Sequence, residues 1–216
     1  MRIVLIHATP LAIAPVQQAF ERHWPDAEIM NLLDDRLSVD RAAAGLSERI
    51  TARIAALADY GIAAGADGIL YTCSAFGPAI EAVAHRASIP VLKPNEAMFA
   101  EVLEAGGPVG LVASFAPSLA PMAAEFTELA EAKGCAAMLD TACAAEAMTA
   151  LADGDGERHD QLLAEVAATL SEARVLMLAQ FSTARAADAV AAVTGKPVFT
   201  SPDSAVRTLR HRLLGT

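Results

Sequence analysis

The chain has 216 residues, of which 54% are hydrophobic and 19% are charged, so it contains enough apolar material for a sizeable core and does not resemble a disordered protein. Its formal net charge of −10, from 16 basic and 26 acidic residues, argues against binding to nucleic acid or to an anionic membrane surface. The three cysteines, without a secretion signal, argue against a disulfide framework and indicate a cytoplasmic protein.

Short apolar runs without polar alternation predict parallel strands that are covered on both faces. In chain order they are Arg2–His7, Gly68–Tyr71, Pro90–Leu92, Val109–Ala113, Val175–Ala179 and Pro197–Phe199. A further strand is expected at Ala136–Leu139, with Cys135 and Cys143 packed in the core on its flanks. No apolar stretch reaches the roughly 18 residues that a transmembrane helix needs.

Strong helix formers dominate the segments between these strands. They predict helices at Ser47–Ala64, from about Pro78 onward, and at Ser118–Lys133, His159–Ala173 and Ala184–Val193. Strands that alternate with helices predict an α/β protein with a doubly wound parallel sheet.

A faint internal repeat divides the chain into two similar halves. Gly65–Val91 aligns with Glu172–Val198 at an offset of 107 residues, and Ile3–Phe20 aligns with Val109–Phe126 at an offset of 106. The repeat predicts two α/β lobes related by a pseudo-twofold axis. Lobe one is expected at 1–97, with a C-terminal helix 201–216 returning to it, and lobe two at 98–200. Because ligands of parallel sheets bind beyond the carboxyl ends of the strands, we expect the active site in the cleft between the lobes.

Cys73 is the strongest candidate for a catalytic residue. It follows a predicted strand and precedes a predicted helix, where backbone N–H groups are expected to lower the pKa of its thiol. A thiolate there acts as a nucleophile or as a base that removes a proton alpha to a carboxylate. The structural alternative is a buried cysteine that packs as a small hydrophobe.

Other polar residues at predicted strand ends are candidates for holding a substrate. Ser74 and Ala75 offer backbone N–H groups to an anionic oxygen, while Ser114 and Thr9 offer hydroxyl and backbone donors or, alternatively, cap helices. His7 is either a group that titrates near neutrality or a hydrogen-bonded structural histidine. The repeat aligns Cys73 with Gln180, so that Gln180 and Ser182 are candidates for the second side of the substrate. The five histidines do not cluster at metal-ligand spacing, and no metal site is expected.

The Thr-Cys-Ser-Ala turn at 72–75 and the Val-Gly-Leu-Val-Ala-Ser segment at 109–114 resemble the aspartate/glutamate/hydantoin racemase superfamily, which also contains arylmalonate decarboxylase and maleate isomerase. The resemblance covers nearly the whole chain. It implies an isomerase that works without cofactor or metal on a small carboxylate. It also implies that Cys73 is the lobe-one catalytic cysteine, that Ser74 and Ala75 cradle a carboxylate oxygen, and that Ser114 opens the lobe-two anion loop. By the same resemblance, His7 and Thr9 lie where first-strand residues meet the substrate, and the enzyme forms a homo-oligomer.

The lobe-two cysteine of the racemases is missing, because Gln180 stands where the family pattern puts it. A symmetric two-thiol racemase needs an acid on each face of the substrate, and an amide does not titrate. Three interpretations follow. The protein is a racemase or epimerase that uses Cys73 and a second group near Gln180 and Ser182. Alternatively, it is a one-cysteine decarboxylase or cis-trans isomerase of a small di-acid, or a carboxylate-binding protein without catalysis.

Overall fold

The computed structural model describes residues 1–215 of the chain. Chain contacts divide it into two units: unit one contains Met1–Ala97 and the segment that begins at Pro202, and unit two is Met98–Ser201. In the part of the chain described, no helix is both long enough and apolar enough to cross a membrane.

Unit one contains a four-stranded sheet in which every pairing is parallel and the strand order is β2-β1-β3-β4. Its strands are β1 (Arg2–His7), β2 (Glu28–Leu33), β3 (Gly68–Tyr71) and β4 (Val91–Leu92). Its helices are α1 (Ile13–His23), α2 (Leu37–Ala44), α3 (Glu48–Ala63), α4 (Gly77–Arg86), the start of α5 (Glu96–Ala105) and nearly all of α10 (Ser201–Leu214). Residue 216, the last of the predicted C-terminal helix, lies outside the described residues.

Unit two repeats this topology with a second parallel sheet in the order β6-β5-β7-β8. Its strands are β5 (Val109–Ala113), β6 (Leu139–Cys143), β7 (Val175–Leu178) and β8 (Val198–Thr200). Its own helices are α6 (Leu119–Ala132), α7 (Ala145–Ala152), α8 (Gly156–Ala168) and α9 (Ala187–Thr194). The prediction of an α/β fold with two similar parallel-sheet lobes is therefore confirmed.

One core cluster of unit one lies between the sheet and the helices that follow β2 and β3. Val4 of β1 and Tyr71 of β3 are buried with Ile54 of α3 and Ile80 of α4, and the Tyr71 hydroxyl donates to the Ile54 carbonyl at 2.8 Å. Helix α3 approaches the sheet so closely that a Cβ at Gly61 would lie 3.0 Å from a Val4 methyl. Because burying one large apolar side chain contributes about 1.5–3 kcal/mol, this layer holds α3 and α4 against β1 and β3.

The core of unit two is built on both faces of its sheet. One cluster includes Phe99 and Phe126, whose rings meet edge to face with centroids 5.5 Å apart. The other packs α8 and α9 on the opposite side through Leu163 and Val190, both fully buried. Helices that cover a sheet on both faces explain why β5 and β7 are continuous apolar runs.

Several predicted boundaries need correction. Strand β2, at Glu28–Leu33, was not predicted from the sequence. The strand expected at Ala136–Leu139 lies instead at Leu139–Cys143. The predicted helix His159–Ala173 begins earlier, at Gly156, because the Asp155 carboxylate caps it by accepting from the Arg158 N–H at 3.0 Å.

Candidate active site

Each of the four inner strand ends runs into a short 3₁₀ turn. In chain order these turns are Pro10–Ala12 after β1, Ser74–Phe76 after β3, Ala116–Ser118 after β5 and Phe181–Ala186 after β7. Within each unit, parallel strands bring their carboxyl ends to one edge of the sheet. The residues singled out from the sequence lie at or near these ends.

Cys73 lies two residues beyond β3, in extended conformation, and immediately precedes the turn Ser74–Phe76. Its side chain is half-buried and packs against the core of unit one. Burial raises the pKa of the Cys73 thiol, and hydrogen bonds from the Ala75 backbone N–H and the Ser38 hydroxyl offset part of this effect. The expectation of a lowered pKa is wrong, because loss of solvent around the sulfur outweighs the two donors. The thiol therefore rests in its protonated form at neutral pH.

Helix α2 holds the turn that carries Cys73, a role that sequence reasoning missed. The hydroxyl of its residue Ser38 lies between the thiol and the Ala8 carbonyl, 3.0 Å away at the end of β1, and its single hydrogen serves one of these two acceptors at a time. One helical turn later, the Arg41 Nε donates to the Ala75 carbonyl at 3.2 Å. Because Ser38 and Arg41 are three residues apart, they lie on the same face of α2. This face connects the carboxyl ends of β1 and β3.

Arg53 of α3 fixes α2 in place. Its guanidinium forms hydrogen bonds with Asp34, just beyond β2, at 2.6 Å, and with Asp40 of α2, also at 2.6 Å. The hydrogen bond from Arg53 lowers the pKa of the Asp40 carboxyl, which is therefore ionised at neutral pH. The pairing of one arginine with two carboxylates ties α2, α3 and the end of β2 together on the Cys73 side of the sheet.

Replacing Ser38 with alanine is expected to raise the pKa of Cys73 further and to slow its alkylation at pH 8 by about two- to twelvefold, the range that corresponds to one lost hydrogen bond. The rate of iodoacetamide alkylation measures the thiolate fraction in a background where Cys135 and Cys143 are alanine. At a pH high enough to ionise both proteins fully, the two rates should converge. The exposed Ser171, replaced in the same way, is the control. Equal alkylation profiles with and without Ser38 would contradict this role.

His7, the last residue of β1, is fully buried. Its Nδ1 lies 2.9 Å from the Thr72 hydroxyl, and its Nε2 lies 3.0 Å from the Asn31 side-chain oxygen. A neutral ring that donates from Nε2 and accepts at Nδ1 satisfies both contacts. Burial lowers the pKa of His7 and outweighs the hydrogen bond to Asn31, so the ring is neutral at pH 7. This geometry favours the structural interpretation of His7 over direct contact with a substrate.

The remaining candidates of unit one are either held in hydrogen bonds within the protein or exposed to solvent. Thr9 caps the turn after β1 by accepting from the Leu11 N–H at 3.4 Å, which favours the capping alternative. The Ala75 N–H is directed to the Cys73 sulfur. Ser74 is exposed, and it is the candidate of this turn that is placed to meet a ligand.

Gln180 occupies in unit two the position that Cys73 occupies in unit one, since each lies two residues beyond its strand and immediately before a 3₁₀ turn. Its side-chain oxygen accepts from the backbone N–H of Ser114 at 3.2 Å and from the Ser114 hydroxyl at 3.3 Å. Its Nε2 donates to the Ser118 hydroxyl. Ser182, two residues further on, is half-buried. The structure thus brings together Gln180 and Ser114, two residues that the sequence named separately, and adds Ser118.

The Gln180 backbone has φ 71° and ψ 147°, and it is the one non-glycine residue with positive φ among residues 1–215. A side chain in this region of backbone space costs on the order of 1–3 kcal/mol, and such strain concentrates at functional sites. The fully buried Thr183 holds this conformation, since its hydroxyl lies within hydrogen-bond distance of the carbonyls of Ala179 and Gln180.

The other two cysteines do not join these sites. Cys135 is exposed, which contradicts its predicted core packing, and Cys143 is the half-buried last residue of β6. In residues 1–215, no three side chains of histidine, cysteine, aspartate or glutamate group closely enough to hold a metal ion.

Residues 14–209 match the family described as Asp/Glu/hydantoin racemase. The chain is therefore a racemase-like enzyme, and it belongs to that family. No curated protein matches the sequence.

Solved racemase structures share the fold over nearly all of this chain and over 81–94% of their own length. Aspartate racemase from Picrophilus torridus has a TM-score of 0.72 and 12% identity, with 98% of this chain and 94% of that chain covered. Glutamate racemase from Bacillus anthracis has a TM-score of 0.72 and 14% identity, with 99% and 81% covered. Allantoin racemase from Klebsiella pneumoniae has a TM-score of 0.68 and 20% identity, with 100% and 89% covered. At these identities the likeness establishes the fold.

Proposed function

We propose that this protein is a cofactor-independent racemase or epimerase that acts at the alpha carbon of a small carboxylate, with Cys73 as its acid/base. The observation that carries the proposal is the setting of Cys73, a half-buried thiol at an inner strand end with hydrogen bonds from Ala75 and Ser38. Membership in the Asp/Glu/hydantoin racemase family supports the reaction class.

The reaction begins with transfer of the alpha proton to the Cys73 thiolate. The electrons of the broken C–H bond move onto the carboxylate, and a proton returned to the opposite face of the carbon completes inversion. The Ala75 N–H and the Ser38 hydroxyl stabilise the thiolate as it forms. Because burial raises the pKa of Cys73, the thiolate fraction and the rate of proton removal rise as the solution becomes more alkaline.

The residue of unit two that is equivalent to Cys73 is Gln180, which has no proton that titrates usefully. We propose that water, or a group beside Gln180 and Ser182, returns the proton to the second face of the substrate. A general acid contributes about 10²–10⁴-fold, so racemisation without a second thiol is slow compared with exchange of the alpha proton.

A one-cysteine decarboxylase of a substituted malonate is the second candidate, and two observations favour it. Cys73 rests protonated, as a proton donor to a carbanion must. Glutamine replaces the thiol at the equivalent position of unit two, so that protonation from one face alone is favoured. In this reaction the C–C bond to the leaving carboxylate breaks and CO₂ departs. Both electrons of that bond stay on the alpha carbon as a carbanion, which Cys73 then protonates.

Incubation of the protein in D₂O with aspartate, glutamate, a hydantoin and a substituted malonate tests the proposal. We expect deuterium at the alpha carbon of one of these compounds, followed by slower loss of optical purity. Release of CO₂ with deuteration on one face would establish the decarboxylase instead. Binding of a carboxylate, detected by a thermal shift, without exchange or CO₂ release would leave a binding protein and overturn both enzymatic proposals.

A further inference from the structure

The loop after β5 (residues 114–118) is occupied by a side chain of its own unit. Ser114 is buried at the start of this loop, and both its backbone N–H and its hydroxyl point to the Gln180 side-chain oxygen, at 3.2 and 3.3 Å. These are the donors that the sequence assigned to a substrate oxygen. In this structure they hold the carboxamide of Gln180.

The hydrogen-bond pattern of the loop fixes which end of the carboxamide lies where. The Ser114 backbone N–H can only donate, so the atom that faces it is the Gln180 oxygen. The Gln180 Nε2 then faces the Ser118 hydroxyl and donates to it. The single hydrogen of that hydroxyl goes to the Phe115 carbonyl, at 2.7 Å, so that its oxygen is left as an acceptor.

The loop therefore presents two donors from Ser114 beside one acceptor from Ser118. A carboxamide, with an oxygen next to an N–H, satisfies all three groups. A carboxylate satisfies the Ser114 donors but places its second oxygen against the lone pairs of Ser118, unless that hydroxyl gives up its bond to Phe115. The array thus discriminates between two ligand groups of nearly the same shape.

The backbone at position 180 supports a specific role for this side chain. Gln180 keeps a positive φ that glycine adopts freely, and the buried Thr183 holds the turn that follows. A residue that merely ended β7 would need neither the strained conformation nor the three hydrogen bonds of its side chain.

We infer that Gln180 is an internal ligand of the loop after β5, and that the group which replaces it there is an amide rather than a carboxylate. The inference rests on the proposed function in so far as that ligand is the substrate; the loop then holds an amide group of the substrate, and the carboxylate of the substrate binds elsewhere. A ligand reaches the Ser114 donors only when the Gln180 side chain leaves them, and Gln180 therefore sets both the affinity and the specificity of this loop.

The experiment compares acetamide with acetate as probes of the wild-type protein and of the Gln180→Ala and Gln180→Gly variants. The glycine variant avoids the backbone strain and guards against misfolding of the alanine variant. The Ser114 backbone N–H resonance reports occupancy. In both variants we expect acetamide to shift it saturably, with a Kd about tenfold lower than that of acetate, as one lost hydrogen bond implies. In the wild type we expect neither probe to shift it. Gln161→Ala, on the exposed face of α8, is the matched control and should behave as the wild type does.

Three results would overturn the inference. Equal response of the wild type and the variants to acetamide would show that Gln180 does not hold the donors. Acetate binding as tight as acetamide binding would remove the amide preference, and no response in either variant would remove the ligand role of the loop. Because none of these readouts uses turnover, the inference and the proposed function can fail separately: silence in the D₂O experiment leaves the binding result intact.

Discussion

The Cys73→Ala variant is expected to lose alpha-proton exchange by about 10³-fold or more, because an alanine methyl neither accepts nor donates a proton. The fold should survive. The side chain is half-buried at the edge of the unit-one core, so deletion of the sulfur should lower the free energy of unfolding by about 1 kcal/mol. Deuterium incorporation measured by mass spectrometry gives the activity, and urea unfolding gives the stability.

Two further variants separate the chemistry of Cys73 from its packing. Cys73→Ser keeps the size and polarity but has a hydroxyl that does not ionise near neutral pH, so it should be nearly as inactive as the alanine variant. Cys135→Ala removes an exposed thiol and should retain full exchange. If Cys73→Ala retained more than a tenth of wild-type exchange, Cys73 would not be the acid/base.

The inner strands could be predicted from the sequence, because both of their faces are covered. Strands β1, β3, β5 and β7 each have neighbours on either side, and their continuous apolar runs place them within one residue of their observed bounds. The topological repeat was also visible, since β3 and β7 begin at residues 68 and 175, which differ by the offset of 107 found in the alignment.

Of the four edge strands, β4 and β8 were predicted, whereas β2 was not predicted and β6 was predicted too early in the chain. Strand β2 lies at one edge of its sheet and β6 at the equivalent edge of the other. Asn31 in β2, together with Asp140 and Thr141 in β6, interrupts the apolar pattern on which the predictions relied. Without β2 there was no reason to place α2 next to Cys73, so Ser38 and Arg41 were missed. A polar residue immediately before a Leu-Leu pair, as at Asn31, is the weak signal that this edge strand leaves.

The electrostatics of the site depend on three-dimensional burial, which local sequence does not contain. The motif around Cys73 correctly predicts a strand end followed by a turn with a backbone donor, but it does not report how much solvent the sulfur loses. The direction of the pKa shift follows from the competition between these effects. The same holds for His7, whose burial lowers its pKa and favours the structural one of its two interpretations.

The Gln180→Cys variant is expected to racemise its substrate about 10²-fold faster than the wild type, and this is the change with the largest expected gain. Position 180 follows β7 as Cys73 follows β3, and the family resemblance implies a second catalytic thiol there. A thiol can return a proton where the Gln180 amide cannot, and a general acid contributes about 10²–10⁴-fold. The measurement is loss of optical activity relative to deuterium exchange.

The Gln180→Ser variant separates two effects of the cysteine substitution: the addition of a thiol that can act as an acid, and the removal of the Gln180 side chain from the loop after β5. Both substitutions remove the hydrogen bonds that the Gln180 side-chain oxygen accepts from Ser114, and both keep a side chain at the same positive φ. They therefore share the change in binding and in backbone strain. Only cysteine adds a group that titrates within reach of neutral pH.

Faster racemisation in both variants would mean that Gln180 limits the rate of the wild type by occupying the loop. Faster racemisation in the cysteine variant alone, lost again when Cys73→Ala is added, would mean that the missing second thiol is what limits it. An unchanged rate in both would contradict a role for position 180 in protonating the substrate.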